Sequence, residues 1–275
     1  MSQTTPSPEG RTAFEPPRLL HGDCLALLPS IPDGCAELIV CDLPYGILNK
    51  DAEGGKWDSQ IPLEPLWREF LRVTKPNAAI ILFAQGMFTA QLMMSKPKLW
   101  RYNLVWDKCR SSGFLNANRM PLRSHEDICV FFRELPVYHP QMTPAEKGRE
   151  THTRGKAQTA AAGERTNRCY GSFGGVPDGD LTMKFPNSIL RFPRPHCTGN
   201  HPTEKSVDLC RWLIRSYSNP GDTVLDPTMG SGTTGVAAVL EDRSFVGIER
   251  EEKYFAVASR RIEEAINKPR QEVLF

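Results

Sequence analysis

No stretch of the 275-residue chain is apolar for long enough to cross a bilayer as a helix, so no membrane-spanning helix is expected. Its first residues, 1–17, are polar and proline-containing, without the apolar middle of a secretory signal. None of the eight cysteines (Cys24, Cys35, Cys41, Cys109, Cys129, Cys169, Cys197, Cys210) stands in a CxxC pair, and several lie in apolar runs where a thiol packs as a small hydrophobe. Reduced thiols in a soluble, cytoplasmic protein are the simplest expectation. His196, Cys197 and His201 lack a fourth ligand at a familiar spacing, so no metal is expected. Asp178, Asp180 and Lys184 lie in a glycine-rich stretch that explains their composition without a nuclease site. Internal repeats are absent. A strong excess of either charge is also lacking: a net +2 and a pI near 8.1 are too mild to establish a nucleic-acid partner, and the distribution of charge must decide.

What is present is alternation of strands and helices. Apolar runs of strand length occur at 18–22, 36–41, 78–84, 102–106 and 128–132, and helical spacing at 24–28, 66–73 and 88–94. Lys75, Pro76 and Asn77 break the pattern, and 49–59 reads as a charged, glycine-containing loop. Periodicity fails between Leu135 and Asn200, a stretch rich in Gly, Thr, Pro and Arg. It returns with a helix carrying Val207, Cys210, Ile214 and Tyr217, which Thr203 can cap, then a strand at 223–225, a helix at 233–240, a strand at 244–248 and a long helix at 251–266. The expected fold is α/β: a doubly wound, mostly parallel sheet with a small irregular insertion. The expected divisions are a disordered tail 1–17, a first half 18–134, the insertion 135–200, a second half 201–268 and a tail 269–275.

Two turns carry chemistry. Asp226, Pro227, Gly230, Ser231, Gly232 and Thr233 form an acid and a glycine turn between a strand and a helix, the setting in which backbone and a nucleoside ligand approach closely. No Lys follows the last glycine, which disfavours a phosphate-binding P-loop. Glu249 ends the next strand, where an acid can accept from two ribose hydroxyls; a solvated capping acid reads the same from spacing alone. The second turn, Asp42, Leu43, Pro44 and Tyr45, offers a carboxylate, a peptide carbonyl and an aromatic ring to a planar amine. Two acceptors around an exocyclic amine favour a pyramidal nitrogen whose lone pair can attack a methyl group. Pro44 stiffens the turn and Tyr45 can stack on a base, an interaction worth about 1–3 kcal/mol.

In this order the two turns resemble the amino-directed DNA methyltransferases, and the catalytic turn preceding the cofactor turn resembles their circularly permuted beta class. Asp42–Tyr45 is a DLPY variant of the family's DPPY, with Leu43 departing at a position whose role belongs to its carbonyl. The resemblance implies S-adenosylmethionine at Asp226–Thr233 with Glu249 on its ribose, Asp23 and Cys24 near its adenine, and Thr203 and Lys205 near its methionine carboxylate. An initial Asp implies adenine N6 as target. Cytosine N4 methylation, or a DNA-binding protein without turnover, are the alternatives. A C5 mechanism would need a cysteine nucleophile, and Cys41 reads as packing. Many relatives carry Phe where Thr228 or Met229 stands, which leaves aromatic packing on the cofactor open.

The resemblance makes 135–200 a target-recognition region. Within it Lys147, Arg149, Arg154, Lys156, Arg165 and Arg168 outnumber the acids and are expected to meet DNA phosphates, with Arg110, Arg119 and Arg123 continuing the basic surface. Because the insertion is short, either a small recognition footprint or a homodimer is expected. Gln271–Phe275 resembles the bacterial sliding-clamp peptide; packing on its own domain or a protease-site remnant explains it equally.

Overall fold

The computed structural model describes residues 16–47, 58–144, 165–167, 171–173, 183–195 and 204–268. In chain order the elements are β1 (Arg18–His21), α1 (Cys24–Leu27), β2 (Ala36–Cys41), α2 (Leu63–Val73), β3 (Thr74–Ala84), α3 (Met87–Ser95), β4 (Trp100–Ser112) and β5 (Arg123–Phe131). Four short strands follow: β6 (Thr143–Pro144), β7 (Arg165–Asn167), β8 (Gly171–Phe173) and β9 (Met183–Lys184). The chain ends with β10 (Ile189–Arg191), α4 (Val207–Tyr217), β11 (Thr223–Asp226), α5 (Thr233–Leu240), β12 (Ser244–Glu249) and α6 (Glu252–Asn267).

Two compact units result, one drawn from Met1–His139 with Ser188–Phe275, the other Pro140–Asn187. The smaller holds two antiparallel ladders, β6 with β9 and β7 with β8. The larger is built on an eight-stranded sheet in the order β1-β12-β11-β2-β3-β5-β4-β10. Pairing is parallel from β1 through β12, β11 and β2 to β3, antiparallel where β5 joins β3 and β4, and parallel again at β10. The strand Ile189–Arg191 belongs to this main sheet, although its sequence lies in the aperiodic stretch 135–200. Three residues between prolines and arginines carry no period that marks them as a strand.

The continuous apolar runs 38–41 of β2 and 78–84 of β3 need cover on both faces of the sheet, and the sheet has it. Leu38 and Val40 of β2, with Ala79, Ile81 and Phe83 of β3, enter one core beneath α4, α5 and α6. Ile39 and Cys41, with Ile80 and Leu82, enter the other beneath α1, α2 and α3. Helix α2 shows how the second core closes: Leu66, Trp67, Phe70 and Val73 lie on one stripe and are fully buried. The Trp67 indole N–H, which burial would otherwise leave without a partner, donates to Ser95 Oγ at 2.8 Å. Truncating Phe70 to alanine would cost about 3–5 kcal/mol.

Helix α2 ends at Val73, just before Lys75, Pro76 and Asn77, but the strand expected from Ala78 already starts at Thr74 and runs through those three residues exposed, with a register shift against β2. Among the described residues no helix is long and apolar enough to cross a membrane.

Candidate active site

Four adjacent parallel strands, β1, β12, β11 and β2, run in one direction and deliver an acid at or just beyond the end of each: Asp23, Glu249, Asp226 and Asp42. All four line one cavity of about 420 Å³. The carboxyl ends of parallel strands are where α/β sheets bind ligands. The crowding of acids has electrostatic consequences. Burial pushes Asp226 up to about 7, against hydrogen bonds from Thr234 and the Thr228 amide that lower it. Burial likewise raises Glu249, opposed by the amides of Glu251 and Gly230.

The glycine turn follows β11. Asp226 Oδ1 accepts from the Thr228 amide at 3.1 Å, so this acid shapes the turn. The chain then reverses through Gly230 and Gly232, at φ 52° and 79°, a region that L side chains rarely adopt. At Gly232 there is also no room: a Cβ would stand 2.9 Å from the Cα and Cβ of Ala258 on α6. Met229 is buried beneath the turn and its amide donates to the Ile248 carbonyl at 2.9 Å. Glu249 is locked to the same turn, Oε2 accepting from the Gly230 amide at 2.9 Å and Oε1 from the Glu251 amide at 2.7 Å.

A ribose diol needs a fixed double acceptor at the strand end, and Glu249, buried and held by two amides, is one. Pro227, Ser231 and Thr233 also line the cavity, with Arg261 Nη1 donating to Ser231 Oγ at 2.8 Å. Across the cavity Asp23 caps α1, its Oδ1 accepting from the amides of Leu25 and Ala26 at 2.9 and 3.2 Å. Cys24 lines the wall as a neutral thiol, pushed up to about 12 by burial.

The Asp42 turn follows β2. Asp42 Oδ1 accepts from Tyr45 Oη at 2.8 Å, and Oδ2 from Lys205 Nζ at 2.6 Å. Leu43 is buried in the second core, and the Tyr45 ring packs on Phe88 with centroids 5.2 Å apart. Asp58, itself buried, accepts from the amides of Gly46 and Ile47 at 2.9 and 2.7 Å, and Gln60 Nε2 donates to the Tyr45 carbonyl at 2.7 Å. The exit from the turn is thereby braced. Thr228 ties the two turns together: its hydroxyl donates to the Asp42 carbonyl at 3.0 Å and lies 3.0 Å from Cys41 Sγ. Cys41 has its thiol raised by burial, consistent with packing.

Behind Asp42 runs a chain of alternating charge. Lys205 Nζ also lies 3.3 Å from Glu126 Oε2, and Lys108 Nζ donates to Glu126 Oε1 at 3.2 Å. Lys205 further sits 5.3 Å from the Phe83 ring centroid and 5.7 Å from that of Tyr45. Burial pulls this lysine's pKa down, but Asp42 and Glu126 together hold it above the usual ammonium value. Burial pushes Asp42 up and the Lys205 charge opposes it, leaving Asp42 above the ordinary carboxylate range. Burial acts the same way on Glu126, yet the two ammonium groups hold it below that range.

Sequence reasoning thus finds Asp23, Cys24, Asp42–Tyr45, Asp226, Pro227, Gly230–Thr233 and Glu249, and the structure gathers them. Lys205, expected opposite a ligand carboxylate, stands opposite two carboxylates of the protein. The capping position of α4 is Ser206, two residues before Asp208 in the first turn, and Thr203 lies outside the described residues. Lys147, Arg149, Arg154, Lys156, Arg168 and the tail Gln271–Phe275 also lie outside them; Arg165 is described only as backbone of β7. Lys108, Glu126, Asp58 and Gln60 are the residues around the site that sequence reasoning misses, and the bond of Thr228 to the Asp42 turn is missed as well. Each acts through a partner distant in the chain, and no local spacing announces it.

A doubly wound sheet whose strand ends hold a glycine turn beside an acid-and-tyrosine turn defines a nucleoside-dependent group-transfer site. The N6/N4 DNA methylase family matches residues 36–260, and the chain belongs to that family. It is a DNA methyltransferase that uses S-adenosylmethionine. DNA adenine methyltransferase YhdJ of Escherichia coli K12 is 30% identical over 276 residues, covering 93% of this chain and 88% of the relative. The solved complex of M1.HpyAVI with SAM aligns with TM-score 0.59 and 21% identity over 89% of this chain and 98% of that one. The cytosine-N4-specific PvuII DNA methyltransferase aligns with TM-score 0.63 and 16% identity over 92% of each chain. At these identities the two structures speak to fold alone.

Proposed function

We propose that this protein methylates adenine N6 in DNA, as a circularly permuted beta-class enzyme whose DLPY turn works as the DPPY turn of its relatives. The observation that carries the reading is the junction of the two turns: Asp42 and Glu249 line one cavity, and the Thr228 hydroxyl hydrogen-bonds the Asp42 carbonyl, tying one turn to the other. The name of the relative at 30% identity supports adenine as the base.

S-adenosylmethionine supplies, when bound, a methyl group on a positively charged sulfur. Glu249 would hold the ribose, the Gly230–Gly232 backbone would let the ligand approach closely, and the wall at Asp23 and Cys24 would receive the adenine. Asp42 Oδ1 and the Leu43 carbonyl accept the two N–H bonds of the target amine, so that its lone pair faces the cofactor side of the cavity. Oδ1 is the atom that Tyr45 Oη holds in this structure, and the incoming amine shares or takes over that acceptor. Lys205 favours the Asp42 anion at its other oxygen, and because the amine nitrogen becomes acidic only once it has gained the methyl group, Asp42 accepts its proton late. No covalent nucleophile is required, because holding donor and acceptor in line supplies the orientation term. Reaching the amine requires extruding the base from the duplex, which costs a few kcal/mol. The basic side chains Lys147, Arg149, Arg154, Lys156, Arg165 and Arg168 are assigned to phosphates.

Sequencing DNA from cells that express the protein, followed by digestion and identification of the modified nucleoside, tests the reading. N6-methyladenine in a fixed sequence context is expected. N4-methylcytosine would reassign the base, and unmodified DNA would refute turnover.

A further inference from the structure

The loop joining β4 to β5 is made of residues that a solvated connection does not need. Phe114 and Leu115 are 81% and 95% exposed, and Met120 and Leu122 in the same loop are exposed as well. Gly113, left-handed at φ 90°, sets up the single 3-10 turn Phe114–Asn116 that carries the first two. Between Lys108 and His125 there is no acidic residue, whereas Arg110, Arg119 and Arg123 are all exposed. Large apolar side chains held in water and flanked by cations mark a contact surface, and the one-signed charge selects a polyanion as what covers it.

The loop is also placed at the site. Its stem residues Ser112 and Arg123 face each other across the β4–β5 ladder, and both line the cavity that holds Asp42. Arg123 Nη1 donates to Gln85 Oε1 at 2.9 Å, tying the stem to the residue that follows β3. The apolar tip therefore springs from the rim of the cavity into which a target base must pass.

We propose that Phe114 and Leu115 are a wedge that enters the base stack of duplex DNA where the target nucleotide leaves it, while Arg110, Arg119 and Arg123 neutralise the phosphates on either side. The proposal rests on the extruded-base reading above. Extrusion leaves a gap and an unpaired partner base, and apolar side chains inserted at a base step are a general way of filling such a gap. The wedge thus offsets part of the opening cost, and it offsets nothing where the target is already unpaired. That difference separates a wedge from a general DNA contact.

The test compares wild type with the double variant Phe114→Ala, Leu115→Ala, whose two side chains are exposed. Single-turnover methylation is measured on one target site presented as a fully paired duplex and as a duplex with the target opposite an abasic position. Fluorescence of 2-aminopurine at the target position reports extrusion. The expected result is a loss of about 10- to 100-fold on the paired duplex, corresponding to the few kcal/mol of opening, with the unpaired target methylated within about threefold of wild type. The fluorescence rise on the paired site should shrink with the rate. Equal losses on both substrates, no loss on either, or a wild-type dimer that the variant dissociates would each overturn the wedge. Wild type that methylates adenine in neither substrate would instead overturn the reading on which it rests.

Discussion

Asp42 sits between a phenol that donates to one oxygen and an ammonium that donates to the other, and its usefulness depends on staying ionised in a half-buried place. Burial and two neighbouring charges set that balance. Burial raises its pKa, Lys205 lowers it, and Glu126, a second negative charge nearby, raises it again. Activity that needs the anion falls as pH drops through this value. Lys205→Met removes the opposing cation, so the acid limb of kcat/KM should move to higher pH. Glu126→Gln removes the like charge, so the same limb should move to lower pH, while Lys205→Arg should stay near wild type. A pH–rate profile in which Lys205→Met and Glu126→Gln shift together, or neither shifts, would show that the charge chain does not control Asp42. Both variants also disturb a buried ion-pair chain, and a loss of stability of about 3–5 kcal/mol is the scale for removing one partner. The direction of the pH shift is independent of that loss.

At the scale of elements, the approach of α6 to the glycine turn fixes where Glu249 and the turn meet. Gly232→Ala combines a left-handed φ with a Cβ 2.9 Å from Ala258, and the expected cost is about 2–4 kcal/mol, from strain and overpacking together. Gly221→Ala has a similar φ of 88° but open space around it, so only the strain remains, about 1 kcal/mol. Denaturant unfolding of the two variants checks this, and equal costs would mean that the α6 contact yields freely.

The same elements show which parts of the architecture a sequence announces. The runs 36–41 and 233–240, and the turns after β2 and β11, are legible because apolar period, glycine and proline are local signals. Direction is not local: β5 runs antiparallel beside β3, yet its apolar run reads like that of a parallel strand. Nor is partnership, since Lys205 meets Asp42 across 163 residues of chain and Thr228 meets the Asp42 carbonyl across 186. Local pattern names the acid and the glycines, but only the folded sheet pairs Lys205 with Asp42.

At the scale of the molecule, the site is assembled from both ends of the sequence. β1 from the start pairs with β12 near the end, and β11 lies between β12 and β2, so the Glu249 acid and the Asp42 acid approach only when the whole sheet has formed. Both apolar cores draw on both halves: Leu225 and Ile248 join the first half's core, and Leu38 and Val40 join the second's. On the proposed reading, cofactor hold and amine activation are separate tasks on separate strands, joined by the Thr228 hydrogen bond. Asp42→Ala separates them most directly, because Lys205 keeps Glu126 as its counter-ion in the variant. Titration of the variant with S-adenosylmethionine should give an affinity within about threefold of wild type, while single-turnover methyl transfer to DNA falls by about 100-fold or more, the scale for removing a group that stabilises a transition state. Methyl transfer at the wild-type rate in that variant would contradict the account.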